Sequence, residues 1–149
     1  MRVVAYSIKS SEKEPLAIAN HKKHEITLIS NHLTLETASF AQGKDAVIVN
    51  VDDQLHAEVI KKLAEIGVKY IATRSTSVDH IDLLASNSYK IKIASVPPQL
   101  IQSADFNQIN SIIATQTVLN LDNWQDSGCL GTACVCSRSC DKVHIDAAI

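Results

Sequence analysis

The chain has 149 residues, 46% hydrophobic and 20% charged, the balance of one folded domain with a sizeable core rather than a disordered segment. A net charge of −2 and only 4% aromatic residues leave neither a basic footprint nor stacking platforms for nucleic acid. No apolar run reaches bilayer-spanning length, and the amino terminus reads straight into a strand rather than a signal h-region, so no membrane contact and a cytoplasmic home are expected.

In chain order, an apolar β-branched strand is predicted over residues 3–6, a helix over 12–21, a strand over 26–29 and a weak helix over 35–42. A strand over 46–49 follows. Leu55, Val59, Ile60, Leu63, Ala64 and Ile66 then form a helical stripe with Gly67 as its C-cap. Strands over 70–72 and 91–94 flank a weak helix over 79–88. Several of the strands are apolar on consecutive positions, as strands buried on both faces of a parallel sheet are. The alternation predicts an α/β fold: a doubly wound, flavodoxin-like parallel sheet of about five strands with right-handed crossovers.

After Val96-Pro97-Pro98 the pattern changes to one long helix over 107–124. Phe106, Ile109, Ile112, Ile113, Thr117, Leu121 and Trp124 repeat at three and four, and Ser103 is the N-cap candidate. The stripe is expected to pack back on the sheet and close it. The predicted organisation is therefore a domain over residues 1–126 and a cysteine-rich tail over 127–149.

Four stretches carry a family resemblance: Val3 through Ser7, Gly67 through Ser75, Val78 through Asp82, and Ile91 through Pro97. In order over about the first 97 residues, the chain resembles the D-isomer-specific 2-hydroxyacid dehydrogenases, the D-lactate dehydrogenases above all. The resemblance implies a flavodoxin-like substrate domain. In the family the chain then leaves to build a Rossmann NAD domain and returns with a helix that completes the first domain. The helix over 107–124 resembles that returning helix, and its Thr117-Val118-Leu119-Asn120-Leu121 is similar to the family's Thr-x-x-Asn-hydrophobic pattern. On this reading the inserted NAD domain is missing and the host domain is whole.

Dinucleotide binding needs a glycine-rich turn that lets backbone N–H groups approach a pyrophosphate. The four glycines, Gly43, Gly67, Gly128 and Gly131, form no G-x-G-x-x-G, so no cofactor is expected on this chain alone, although the resemblance implies NAD for the family. The family's catalytic arginine, glutamate and histidine belong to the NAD domain or its end, and none has a matching position here. No catalytic residue is assigned. Hydride transfer by this chain alone is not expected.

The resemblance also implies a turn after the fourth strand whose backbone N–H groups hold the substrate carboxylate. The matching residues are Ser75, Thr76, Ser77 and Val78, with Ser77 where glycine is expected. A serine restricts positive φ. The hydroxyls of Ser75, Thr76 and Ser77 either help hold a small carboxylate or simply cap the helix predicted from Asp79. Pro98-Gln99 stands where the family often has a substrate-contacting tyrosine. His80 and Asp82 match the family as structural residues of the loop and helix start.

Cys129, Cys134, Cys136 and Cys140, followed by His144, are this chain's own addition. Four thiolates so close suit one soft cation, zinc, copper(I) or an iron–sulfur centre. Their C-x4-C-x-C-x3-C spacing departs from the paired C-x2-C zinc signature. Disulfides, thiols activated by Arg138 and Lys142, and an inert tail stay open beside the metal. The alternative functions are a binding or regulatory module that pairs with itself or with a full-length dehydrogenase, and a scaffold for a metal or redox site in the tail.

Overall fold

The computed structural model describes residues 1–126 and 130–135. Its sheet has six strands: β1 (Arg2–Ala5), β2 (Glu25–Leu28), β3 (Ala46–Val49), β4 (Tyr70–Thr73), β5 (Lys92–Ala94) and β6 (Cys134–Val135). Four helices accompany them: α1 (Ser10–Asn20), α2 (Ala57–Glu65), α3 (Leu83–Ser88) and α4 (Ile109–Gln125). The strand order is β2-β1-β3-β4-β5-β6. The first five strands are parallel, and β6 joins β5 antiparallel. The order 2-1-3-4-5 is the flavodoxin-like arrangement expected from the alternation, with its switch point between β1 and β3.

Side chains alternate across each strand, and the alternation splits the core in two. Val47, Val49, Ile71 and Ile93 face α2, whose Val59, Ile60 and Leu63 cover them. Ala5, Ala46, Ala72 and Ala94 face the other way, toward α1 and α4. These small side chains let the two helices lie close against the sheet, with Leu16 from α1 and Val118, Leu121 and Trp124 from α4 filling the layer. Trp124 also stacks on Tyr70, ring centroids 4.8 Å apart. The long carboxyl-side helix thus closes the sheet as its stripe predicts. Burying each large side chain there stabilises the fold by about 1.5–3 kcal/mol.

Gly67 ends α2 as predicted. Its φ is +99°, its N–H donates to the carbonyl of Ala64 at 3.1 Å, and the Val68 N–H donates to that of Leu63 at 3.0 Å, the paired bonds of a Schellman ending. Other boundaries depart from expectation. The helix predicted from 79 begins instead at Leu83, with Asp82 as its N-cap, Oδ1 accepting from the Ala85 N–H at 3.0 Å. Residues 79–81 are drawn away by a parallel bridge between Leu55 and Ile81, in which Leu55 N donates to His80 O at 2.9 Å and Asp82 N to Leu55 O at 3.0 Å. Tertiary pairing overrides local helix preference there. The weak helix over 35–42 is a 3-10 turn, Thr37–Ala41, whose first carbonyl accepts from the Tyr6 hydroxyl at 2.7 Å. Ser103 caps nothing: α4 starts at Ile109, after a 3-10 turn at Phe106–Gln108.

The sixth strand was not expected. It lies in the stretch read as tail, and it is only two residues long, too short for any periodic signal. Leu130 and Ala133 beside it are buried against the α1–α4 face. The strand covers part of the β5 edge, which would otherwise present unpaired backbone groups. Among the described residues no helix is long and apolar enough to cross a membrane.

Candidate functional site

In doubly wound sheets, ligands bind at the carboxyl ends of the strands near the switch point. Here that edge is formed by Ser7 after β1, Asn50 and Asp53 after β3, and the residues from Thr73 onward in β4. Two polar networks organise it.

The first is centred on Asp53, whose side chain is fully buried. One carboxylate oxygen accepts from the Ser7 hydroxyl at 2.6 Å and the Leu33 N–H at 2.8 Å, and the other from the Asn50 N–H at 2.8 Å. Because the single Ser7 proton goes to Asp53, the 2.7 Å contact with His32 Nδ1 requires that nitrogen to be the donor. Serine therefore sits between histidine and aspartate. A hydrolytic triad needs histidine in the middle, accepting the serine proton. This arrangement fixes loops and does not activate a nucleophile. Ser7 is held at φ 56°, a left-handed conformation costly for a serine, and it is buried. Tyr6 next to it is fully buried, and burial, with the Asp53 charge adding to it, pushes its phenol far above the ordinary value.

The second network holds the turn after β4. Ser75 Oγ donates to the Ser77 carbonyl at 2.8 Å, so Thr73 Oγ1, 2.6 Å away, donates to Ser75. Thr73 then accepts from His80 Nε2 at 3.1 Å, which places the His80 proton on Nε2. Burial lowers the His80 pKa, against the opposing charges of Asp53 and Asp79. Ser77 Oγ accepts from the Asp79 N–H at 3.2 Å, and the Ser75 carbonyl accepts from Val96 N–H at 2.9 Å. Ser77 is not among the residues with positive φ. The turn accommodates serine by staying out of the left-handed region.

Ser75, Thr76, Ser77 and Val78 are therefore brought together in one turn at the sheet edge. The hydroxyls of Ser75 and Ser77 are committed to the turn itself, and Thr76 is exposed. Asp82 is the N-cap of α3, and His80 is a hydrogen-bonded loop residue.

Sequence reasoning missed the opposite side of the same edge. Arg74 follows Thr73, so its side chain turns to the other face, between α1 and α4. It is buried, and its Nη2 donates to the carbonyls of Tyr6 at 2.9 Å and Ser7 at 3.3 Å. Nη1 is ion-paired with the Glu12 carboxylate, while Nε has no hydrogen-bond partner among the described residues. Burial lowers the Arg74 pKa to about 10, which leaves it charged at neutral pH. Beside it opens a cleft of about 260 Å³, floored by Leu16, Ile113 and Ala114 and rimmed by Lys9, Asn50 and Asn110. No local signal marks this cleft, because its walls come from positions up to about a hundred residues apart.

The dinucleotide implied by the resemblance does not fit this edge. The first βα turn is Ser7-Ile8-Lys9, without glycine, and Ser7 and Ile8 are buried in it. Among the described residues no three His, Cys, Asp or Glu side chains converge on a metal position. Of the four cysteines, Cys129, Cys136 and Cys140 lie outside the described residues. Cys134 is in a disulfide, which removes its thiolate from a zinc, copper(I) or iron–sulfur ligand set.

The chain is 35% identical over 98 residues to a 2-hydroxyacid dehydrogenase homolog of Zymomonas mobilis, covering 65% of this chain and 30% of the relative. It is 28% identical over 125 residues to the D-lactate dehydrogenase of Leuconostoc mesenteroides, covering 80% of this chain and 38% of that enzyme. The apo structure of Escherichia coli D-lactate dehydrogenase superposes with a TM-score of 0.64 at 34% identity, covering 65% of this chain and 31% of that one. The chain thus spans roughly a third of the length of these relatives. Residues 3–130, α4 included, match the family described as D-isomer specific 2-hydroxyacid dehydrogenase, catalytic domain. The chain belongs to that family, through its catalytic domain.

Proposed function

We propose that this chain is a homologue of the substrate domain of the D-2-hydroxyacid dehydrogenases that does not itself transfer hydride. The observation that carries this reading is that the match to the family's catalytic domain, residues 3–130, runs through β5, the connection over 95–108 and α4 without any G-x-G-x-x-G. The glycine-free β1–α1 turn supports the same reading. So does the absence of any position matching the family's arginine, glutamate and histidine. Of the substrate machinery, the turn at Ser75, Thr76, Ser77 and Val78 persists in altered form, a candidate for weak contact with a small carboxylate. The expected result is no quenching or enhancement of NADH fluorescence on titration, and no NADH oxidation with pyruvate. Saturable NADH binding, or turnover with any 2-oxo acid, overturns the proposal.

A second reading, association with another copy or with a full-length dehydrogenase, is favoured by apolar side chains on the same connection. Phe106 is 89% exposed and Leu100 is 41% exposed. Light scattering of the chain alone and mixed with a D-lactate dehydrogenase tests it. A monomer in both samples rejects it. For the tail, the Cys134 disulfide favours disulfide chemistry over metal. Fewer than four free thiols and no bound metal by elemental analysis are the expected outcome.

A further inference from the structure

We propose that the Cys134 disulfide is a redox switch that keeps β6 on the edge of β5, and that its reduction by a dithiol releases β6 and frees the Ser95 N–H. The inference rests on the disulfide reading of the tail and goes beyond it, because it makes the bond control a contact with the sheet.

β5 is the last of the parallel strands, and β6 covers its outer edge. Cys134 stands opposite Ala94 and Val135 opposite Ile93 in an antiparallel pair. Just beyond, the Ser95 N–H donates to the Ala133 carbonyl at 2.9 Å. Leu130 and Ala133 are buried against the α1–α4 face, and half-buried Cys134 packs on the same cluster. A two-residue strand with two apolar anchors gains little against the entropy of ordering the segment. The disulfide changes that balance. All four cysteines lie between positions 129 and 140, so whichever one pairs with Cys134, the bond closes a short ring and makes no covalent link to the sheet. A ring of this kind removes chain freedom before β6 docks, and so lowers the entropy that docking costs.

Ser95 is the residue that feels the release. Its N–H is held by β6 and its carbonyl by Asn120 of α4 at 3.2 Å, while the neighbouring Val96 N–H holds the Ser75 carbonyl at 2.9 Å. Residues 95 and 96 therefore join the tail to the turn at residues 75–78. In the switching step a thiolate of the dithiol attacks one sulfur of the Cys134 disulfide, and the second thiol of the reductant then displaces the mixed disulfide. Two electrons and two protons pass to the protein, which ends as two thiols, and the dithiol ends as a cyclic disulfide. With the ring open, β6 bears its full ordering cost and leaves the edge.

The test is amide hydrogen exchange of the full chain read by NMR before and after dithiothreitol, with free thiols titrated in the same samples. The Ser95 amide is expected to exchange slowly in the oxidised chain and about tenfold faster or more once reduced. The Lys92 N–H, which donates to the Lys69 carbonyl at 3.0 Å on the β4 side, is expected to keep its rate. Cys134→Ser is expected to show the fast Ser95 rate with or without dithiothreitol. An unchanged Ser95 rate after thiols have been released, or a Cys134→Ser variant as slow as the oxidised chain, overturns the switch and leaves the disulfide reading standing. Equal acceleration at Lys92 reports general loosening and overturns the switch as well. Four free thiols before reduction overturn both readings. If Cys134→Ser fails to fold, the wild-type comparison decides alone.

Discussion

Asn120 of α4 reaches the main chain beyond β5, its Nδ2 donating to the carbonyl of Ser95 at 3.2 Å, with both residues buried. Gln116, one turn earlier, donates to Asn120 Oδ1 at 2.8 Å and fixes the amide's orientation. The helix that closes the sheet is thus tied to the strand it follows by a polar contact inside an otherwise apolar layer. Thr117, in the same Thr-x-x-Asn pattern, spends its hydroxyl on its own helix, on the Ile113 carbonyl at 2.7 Å.

The two residues of the pattern should therefore differ in weight. Asn120→Leu leaves the buried Ser95 carbonyl unpaired and is expected to cost about 2 kcal/mol, whereas Thr117→Val stays within about 1 kcal/mol. Urea denaturation of both variants reads the difference. Equal losses would assign Asn120 no more than helix packing.

Asp53 holds three donors from three separate segments, so its removal orphans all of them. Asp53→Leu is expected to cost at least about 3 kcal/mol. At Ser7 the hydrogen bond and the backbone oppose each other. Ser7→Ala loses the bond and keeps the left-handed φ, while Ser7→Gly loses the bond but relieves roughly 1 kcal/mol of backbone strain. The glycine variant should be the more stable of the two by thermal melting.

His80 gives stability a dependence on mild acid. Its folded pKa is lowered by burial, so the unfolded chain takes up a proton first, and stability present above about 6.5 falls as pH drops below it. His80→Asn should flatten the stability profile between about pH 7 and 5. In the wild type, the His80 ring-proton titration should have its midpoint below the ordinary value. A midpoint at or above that value contradicts the burial argument.

A second, lower window belongs to Asp122. Burial raises its pKa, but hydrogen bonds from Lys23 and His24, with their charges, outweigh this and hold it below 3.8. Lys23 Nζ lies 2.8 Å and His24 Nε2 2.7 Å from its two oxygens, a cross-link between the β2 approach and α4. A depressed carboxylate stabilises above its ordinary pKa and loses that contribution as pH falls through the folded value. Asp122→Asn should therefore destabilise at pH 7 by about 1 kcal/mol and lose less than the wild type below about pH 4.

The strands and their two-faced burial were legible from runs such as Ala46–Val49, because hydrophobicity on consecutive positions is a local property. So was the end of α2, where Gly67 alone can take the required φ cheaply. The apolar stripe from Ile109 to Trp124 announced the closing helix, and the match over residues 3–130 bears out the family. What failed to show was whatever depends on distant partners. Residues 79–81 left the helix to pair with Leu55, and β6 exists only because β5 offers an open edge.

The site divides in the same way. The turn at Ser75 to Val78 was visible as a cluster of hydroxyls, but only the structure assigns the protons of Ser75 and the contacts of Ser77. Arg74 was in plain view with no role to give it. Its partners Glu12, Tyr6 and Ser7 are more than sixty residues away in the chain, and strand alternation alone decides that it turns from the Thr73 side toward α1 and α4. Local patterning determined the elements, the sheet and the family; the pairing of buried donors and charges from separated segments, which no short window of sequence contains, was decided by the tertiary fold.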